Sequence, residues 1–383
     1  MSDSLARLYV LSTLVSSLVV ATAAAGAQPM QGSRPEASSD YPQKPVRMIV
    51  PYAKGGTPDH VSRRPVRGDG VQPPGLIRVA ARQIPAYPDK PIRLIVPFAP
   101  GGGSDIIARL LAQKVATAWG QAVVVDNRGG GGSTIGTSMV ARAVPDGYTI
   151  LLTSISVAYL PALYSKLSYD TEKDLDPVTL LVTQPNLLVV HPAVPAQSVA
   201  ELIALAKSRP GEIRYGSAGS GSSGHLAAEL FRTTAGIDMV HVPYKGGGPA
   251  VPALIAGEVH VVILGMATLL PHVRSGRVRA LAVTGATRAK GVPELATIAE
   301  AGLPGAEYET WYGLLAPAGT PSAIISKLNE TFNRALAAQD VQERLAGIGV
   351  EPLGGTQQKF AAYLKSEIKK WTTVVRGANI RID

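Results

Sequence analysis

Four loops rich in glycine and hydroxyl residues hold most of the chemistry this chain can offer. They are residues 97–105 (PFAPGGGSD), 129–136 (GGGGSTIG), 216–224 (GSAGSGSSG) and 245–248 (KGGG). Each follows a short apolar run of strand type and precedes a helical pattern. A loop of this kind presents unpaired backbone N–H groups at a helix N-terminus, where the peptide dipoles also favour negative charge. Serine and threonine hydroxyls add further donors. The chemistry is recognition of an anion such as a carboxylate, without a buried arginine. An ordinary tight turn between strand and helix explains any one of these loops equally well. Several in one chain point to a shared anion-binding cleft at the carboxyl ends of the strands.

Other chemistries find less support. Gly219, Gly221 and Gly224 spell G-x-G-x-x-G between a strand and a helix, and Asp238 lies 19 residues beyond Gly219. This outline raises a Rossmann-type nicotinamide-dependent oxidoreductase as an alternative. Against it, Asp238 opens the next strand, and the end of that strand offers Tyr244 and Lys245 instead. GGGGST lacks the lysine of a phosphate-binding P-loop. There is no G-x-S-x-G elbow, and the six histidines show no spacing such as H-E-x-x-H. His225 opens a helix beside the serine loop and either touches a ligand or serves the helix start. His191 and His241, at strand ends, read as structural, and the acid pairs Glu307/Glu309 and Asp174/Asp176 as solvated loop charges. The absence of cysteine excludes disulfides, thiolate metal sites and a thiol nucleophile. No catalytic residue, metal or cofactor is expected.

The loops need strands and helices to aim them. From residue 87 the two alternate: strand-like runs at 92–98, 122–126, 149–153, 187–191, 213–216, 239–242, 259–264 and 278–284, with helical patterns at 104–118, 198–208, 224–235, 249–256 and 268–275. A helical block follows at 321–338, 340–347 and 356–376, interrupted by a short strand near 350–352. Such alternation predicts α/β architecture with largely parallel sheets. Two apolar, proline-flanked stretches, 184–195 (QPNLLVVHPAVP) and 312–321 (YGLLAPAGTP), read as crossovers between two domains, or else as ordinary edge strands. The crossover reading puts 87–187 plus 314–383 in domain I and 188–313 in domain II.

The N-terminus is of another kind. Residues 8–20 form an apolar stretch followed by ATAAAGA at 21–27, so 1–27 read as a cleaved signal peptide rather than an anchor, and the protein as periplasmic. Residues 28–86 are proline-rich without helical period and read as a disordered linker or partial duplicate. Within them YPQKPVRMIVPYAKGGTPD (41–59) repeats YPDKPIRLIVPFAPGGGSD (87–105), with 12 of 19 positions identical. Only the second copy runs on into a helix, so deleting 28–84 is expected to leave ligand binding intact. The net charge of +9 is concentrated here: 28–86 carry nine Lys/Arg against four Asp/Glu, a net of +5, whereas 87–383 carry 27 against 23, a net of +4. Without a basic run or basic–aromatic interleaving in the main body, no nucleic-acid partner is expected.

The segment YPDKPIRLIVPFAPGGGSDIIARLLAQ resembles the start of mature Bug-type receptors, the extracytoplasmic solute-binding proteins of the tripartite tricarboxylate transporter family. The likeness continues through VVVDNRGGGGSTIGTSMVARAVPDGYTILL, YGSAGSGSSGHLAAELF, MVHVPYKGGGPAVPALIAGEV, PHVRSGRVRALAVT and WYGLLAPAGTP, and so spans 87–383. The resemblance implies a periplasmic-binding-protein (Venus flytrap) fold, two α/β domains joined by two crossover segments and closing on a small carboxylate. It implies that loop N–H groups, hydroxyls and ordered water hold the carboxylate, and that a monomeric receptor serves membrane transporter subunits. A ligand-receiving subunit of a signalling system is an alternative use of the same fold. Carried over by motif, the ligand contacts are Phe98, Ala99, Gly101, Gly102 and Asp105 in the first loop, Ser133 and Thr134 in the second, and Ser217, Gly219 and Ser223 in the third.

The chain departs from the family pattern at two places. Where many relatives have an Asn- or His-containing sequence it has SVAYLP, which leaves Ser154 and Ser156 to reach the cleft beside a more apolar wall. Where many relatives carry an acid after the strand at 259–264 it has Gly265. Without that acid a ligand amine is disfavoured, so an amino acid is not the expected ligand.

Overall fold

In the computed structural model the described residues are 87–377; the signal segment, the 28–86 linker and the first copy of the repeat lie outside them. The first sheet grows around β1 (Ile92–Val96). Ile92, Leu94 and Val96 enter one apolar core and Ile95 enters another on the opposite face, as expected of a parallel strand buried on both sides. It pairs in parallel with β2 (Val123–Asn127) and β3 (Thr149–Ser154). The antiparallel strands β9 (Glu309–Pro317) and β4 (Leu175–Val190) complete the sheet, in the order β2-β1-β3-β9-β4. A two-residue strand, β10 (Glu351–Pro352), pairs with the far side of β4.

The second sheet repeats this plan. β5 (Arg214–Ser217) pairs in parallel with β6 (Val240–Pro243) and β7 (Val261–Gly265), and β7 meets β4 antiparallel. β8 (Arg279–Val283) lies antiparallel on the other side of β4. β4 therefore belongs to both sheets. Its last partner in the first lobe is Glu309, opposite Pro185, and its first in the second is Gly265, opposite Asn186. The returning chain lies alongside: Thr284 N–H donates to the Asn186 carbonyl, and Tyr308 N–H to the Thr284 carbonyl, just before β9.

Two elements differ from the sequence reading for reasons of proline chemistry. β4 begins at Leu175, well before the expected run at 187–191. Its Pro177 and Pro185 disguise it, and the pairing with β9 shifts register at Pro177/Thr179 and again at Leu180/Val182. The missing N–H of Pro177 accounts for the first of these shifts. The apolar wall at SVAYLP is a helix, α3 (Ser156–Leu163), with Pro161 inside it. The missing N–H of Pro161 leaves the Val157 carbonyl without its helical donor. The Thr171 hydroxyl supplies that bond at 3.0 Å.

Candidate ligand-binding site

Helix N-termini converge where the two lobes face each other. They belong to α1 (Gly103–Trp119) and α3 in the first lobe, and to α6 (Ser223–Ala235), α7 (Gly247–Ile255) and α8 (Met266–Arg274) in the second. Between them is a cavity with about 30 Å³ of water-accessible space. The first lobe contributes Phe98, Gly102, Gly103, Ser104 and Ser154; the second contributes Ala218, Ser223, Gly247, Leu264, Gly265 and Thr268; Tyr312 arrives on β9. No Asp, Glu, Lys, Arg or His lines it. Negative charge placed here meets neutral donors and the positive ends of five helices.

Of the residues singled out from sequence, Phe98, Gly102, Ser154 and Ser223 line this cavity. Ser133 and Ser156 stand behind Ser154 in a buried chain of hydroxyls, Ser133 Oγ to Ser156 Oγ at 3.0 Å and Ser156 Oγ to Ser154 Oγ at 3.0 Å. Thr134 begins α2 (Thr134–Ala141). The other polar groups are engaged within the protein. Ala99 N–H donates to the Lys245 carbonyl at 2.9 Å. Gly101 N–H donates to Asp105 Oδ2 at 2.9 Å, and Arg109 Nε lies 3.0 Å from the same oxygen. Burial alone would raise the Asp105 pKa, but the hydrogen bonds from Arg109, Gly101 and Asn127 outweigh it and hold the carboxyl below its usual range. Ser217 Oγ contacts His241 Nε2 at 2.6 Å and accepts the Gly219 N–H at 3.1 Å.

His241 is the centre of an aromatic stack. Its ring lies 4.1 Å from His225 and 4.8 Å from Tyr215. His225 Nδ1 accepts the Gly221 N–H at 3.2 Å, so the stack supports the serine loop from below. Burial pushes the pKa of both histidines down, that of His241 to about 4.

Many of the loop glycines serve close approach between the lobes. A Cβ on Gly248 would lie 1.9 Å from the Pro100 carbonyl oxygen, one on Gly132 2.0 Å from that of Ser220, and one on Gly129 2.6 Å from that of Lys245. The G-x-G-x-x-G loop is caught in this contact, with Gly132 against Ser220 and Gly221. A Cβ on Gly224 would meet the Ile263 carbonyl oxygen at 2.7 Å. These glycines pack protein against protein, where a dinucleotide would need open space.

The sequence reading overlooked Gln184, Thr268 and Tyr312. Gln184 is fully buried; its Oε1 accepts the Ala267 N–H at 2.8 Å and its Nε2 donates to Tyr312 Oη at 3.3 Å. Gln184 and Tyr312 lie in the two stretches read as crossovers, which was the one signal available. No local motif links them.

Two α/β lobes of matching strand order, two adjacent crossovers and a donor-lined cleft between the lobes define a solute-binding protein of the Venus flytrap type. The chain belongs to the receptors of the tripartite tricarboxylate transporter family: residues 107–380 match the family described as "Tripartite tricarboxylate transporter family receptor". It is similar to protein BugT of Bordetella pertussis, 40% identical over 350 residues, covering 91% of this chain and 93% of BugT. Among solved structures it resembles R. palustris Rpa4515 with adipate, at 39% identity and a TM-score of 0.75 over 77% of this chain and 100% of that one. It also resembles MatC from Rhodopseudomonas palustris with bound malate, at 34% identity and a TM-score of 0.73 over 76% of this chain and 100% of MatC. The family is one of receptors, two of these structures hold a carboxylate, and the oxidoreductase reading of Gly219–Gly224 falls with that finding. Among the described residues no helix is long and apolar enough to cross a membrane.

Proposed function

We propose that this protein captures a small carboxylate in the periplasm and delivers it to membrane transporter subunits. Domain closure is its output, driven by a ligand that binds the closed form better than the open one. The observation that carries this reading is the convergence of five helix N-termini and several hydroxyls on a cavity free of charged side chains. The similarity to proteins with adipate and with malate supports the same class of ligand.

In this reading Phe98, Gly102, Ser154 and Ser223 touch the ligand, with Ser133 and Ser156 behind Ser154. Ala99, Gly101, Asp105, Thr134, Ser217 and Gly219 shape the loops that present them. Residues 87–187 and 314–383 form one lobe and 188–313 the other, and the protein acts as a monomer. A signal peptide, residues 1–27, is removed on export. Thermal-shift screening of the purified protein against small mono- and dicarboxylates tests the proposal. Stabilisation by at least one of them is expected; stabilisation by a nucleotide and by none of the carboxylates would sink it.

A further inference from the structure

Helix α8 starts in an unusual way. Its N-cap is Gly265, which has no side chain to accept an N–H of the first turn. An N-cap residue with a side-chain oxygen, such as aspartate, does this by accepting from the second or third helical residue. Here the acceptor comes from across the hinge: Gln184 Oε1, on β4, takes the N–H of Ala267, the second helical residue, at 2.8 Å. The two positions exclude each other. A Cβ on Gly265 would lie 2.3 Å from Gln184 Nε2 and 2.7 Å from Gln184 Cδ. Gly265 has an extended backbone, φ −58° and ψ 147°, that any residue adopts, so the amide of Gln184 is what occupies its side-chain space.

The remote cap changes the charge and direction of the cavity floor. A carboxylate cap would be an acceptor and an anion, whereas the amide is neutral and its other end is a donor. That end gives its hydrogen to Tyr312 Oη at 3.3 Å. The Tyr312 hydroxyl is thereby an acceptor toward Gln184, and its own proton is left for another partner. No acceptor among the described residues takes it. Tyr312, Thr268 and Gly103 line the cavity together where α1 begins: a Cβ on Gly103 would lie only 3.0 Å from Tyr312 Oη and 3.2 Å from Thr268 Oγ1. Burial raises the Tyr312 pKa, so the group is a neutral donor. Asp105, the acid of the first loop, is committed to Gly101 and Arg109.

We propose that Gln184 and Tyr312 set the ligand class: Tyr312 donates its hydroxyl proton to a carboxylate or hydroxyl oxygen of the ligand, and Gln184 orients Tyr312 while keeping an acid out of position 265. The cleft then accepts a carboxylate bearing a second oxygen function and rejects one bearing an ammonium at that end. This rests on the carboxylate-receptor reading above. Tyr312 is a specificity-determining contact, and Gln184 a positioning residue.

Calorimetric titration of the full chain, as wild type, Tyr312→Phe and Gln184→Glu, with succinate, malate, adipate and L-aspartate tests this, with melting temperatures measured alongside. Wild type is expected to prefer a ligand without an ammonium group. Tyr312→Phe should weaken that ligand by about tenfold or more, the range of one hydrogen bond to a charged group. In Gln184→Glu the new carboxylate still caps Ala267, but it accepts the Tyr312 proton and adds an anion. Its binding should weaken similarly, and its preference should move toward aspartate, a change that a merely structural role would not produce. Should Gln184→Glu fail to fold, Tyr312→Phe decides alone. Wild-type affinity for the dicarboxylates in the folded variants, or wild-type binding of aspartate as tight as that of succinate, overturns the inference. Failure of wild type to bind any of the four while another small carboxylate stabilises it overturns this inference alone; failure with every carboxylate of the screen removes the carboxylate reading as well.

Discussion

The backbone N–H of Ala99 donates to the carbonyl oxygen of Lys245 at 2.9 Å, a direct bond between one lobe and the other. Such a bond requires the two loops to approach without side chains between them, and Gly246–Gly248 opposite Pro100–Gly102 allow it. Gly248 isolates the effect of space from that of backbone freedom, because it lies within α7 at an ordinary helical φ. In Gly248→Ala the helix gains up to about 1 kcal/mol in propensity, while the new methyl would lie 1.9 Å from the Pro100 carbonyl oxygen in the lobe-to-lobe contact of this structure, a clash that opening of the proposed hinge would relieve. The ligand-free protein should melt no lower than wild type, yet bind its ligand at least about tenfold more weakly. Gly347→Ala, where a Cβ meets nothing within 4 Å, is the control and should leave affinity unchanged. Calorimetry with small-angle scattering checks closure; unaltered affinity in Gly248→Ala would rule out a closure contact there.

The His225–His241 stack makes stability depend on pH. Burial lowers the pKa of His241 to about 4 in the folded protein, against about 6.5 in the unfolded chain. The unfolded state therefore takes up a proton that the fold refuses. The contribution of His241 is complete above pH about 7 and is lost as pH falls from about 6.5 toward 4. Its ring is partly exposed, so the loss is on the order of 1–2 kcal/mol after allowance for solvent. Urea unfolding between pH 7.5 and 4.5 should show a slope in this window that His241→Gln flattens.

Glu367 closes a second buried polar contact. Its Oε2 accepts from the indole nitrogens of both Trp311 and Trp371, at 3.0 and 2.9 Å, and ties α11 (Gln357–Gly377) to the crossover strand β9. Glu367→Leu strands two buried N–H groups, at about 2–5 kcal/mol together, and should lower the melting temperature by roughly 5–15 °C. Glu367→Gln retains an oxygen that can accept both bonds and should recover most of the loss. Equal melting temperatures for the two variants would show that the hydrogen bonds contribute little.

Asp105 holds the first loop through Gly101 and α1 through Arg109. Removing its carboxylate in Asp105→Ala leaves the Gly101 N–H without its partner and should destabilise the protein by about 1–3 kcal/mol. Because the folded pKa is depressed, this contribution is present above the usual carboxylate range and fades as pH falls through it. The gap between wild type and variant should therefore narrow in chemical denaturation at low pH. A gap that stays constant with pH would mean the carboxylate's charge is not involved.

Where the chain's own periodicity is strong, the fold was legible. The expected helix at 104–118 is Gly103–Trp119, and the expected 198–208 is Val199–Ser208. Both have an apolar stripe on one face, which local sequence records directly. β4 was read only in its last part and α3 not at all, because their signals conflict. Pro177 and Pro185 interrupt a 16-residue strand, and α3 is buried on nearly every side, so it shows no polar face and contains Pro161 as well. The site was half legible for the same reason. Glycine–hydroxyl loops mark where helices begin, but which N–H groups stay free depends on what the other lobe brings.

By itself the sequence determined the strand–helix alternation, the loops that open its helices and the family to which they belong, because each of these is written within ten or so neighbouring residues. Only the tertiary structure decided that Ala99 spends its N–H on Lys245, that several glycines exist for lobe contact, and that Gln184 caps a helix Gly265 cannot. Gln184 and Tyr312 stand 128 residues apart and meet because two crossovers run side by side. Pairing at that range is a product of packing, and no local period of the chain encodes it.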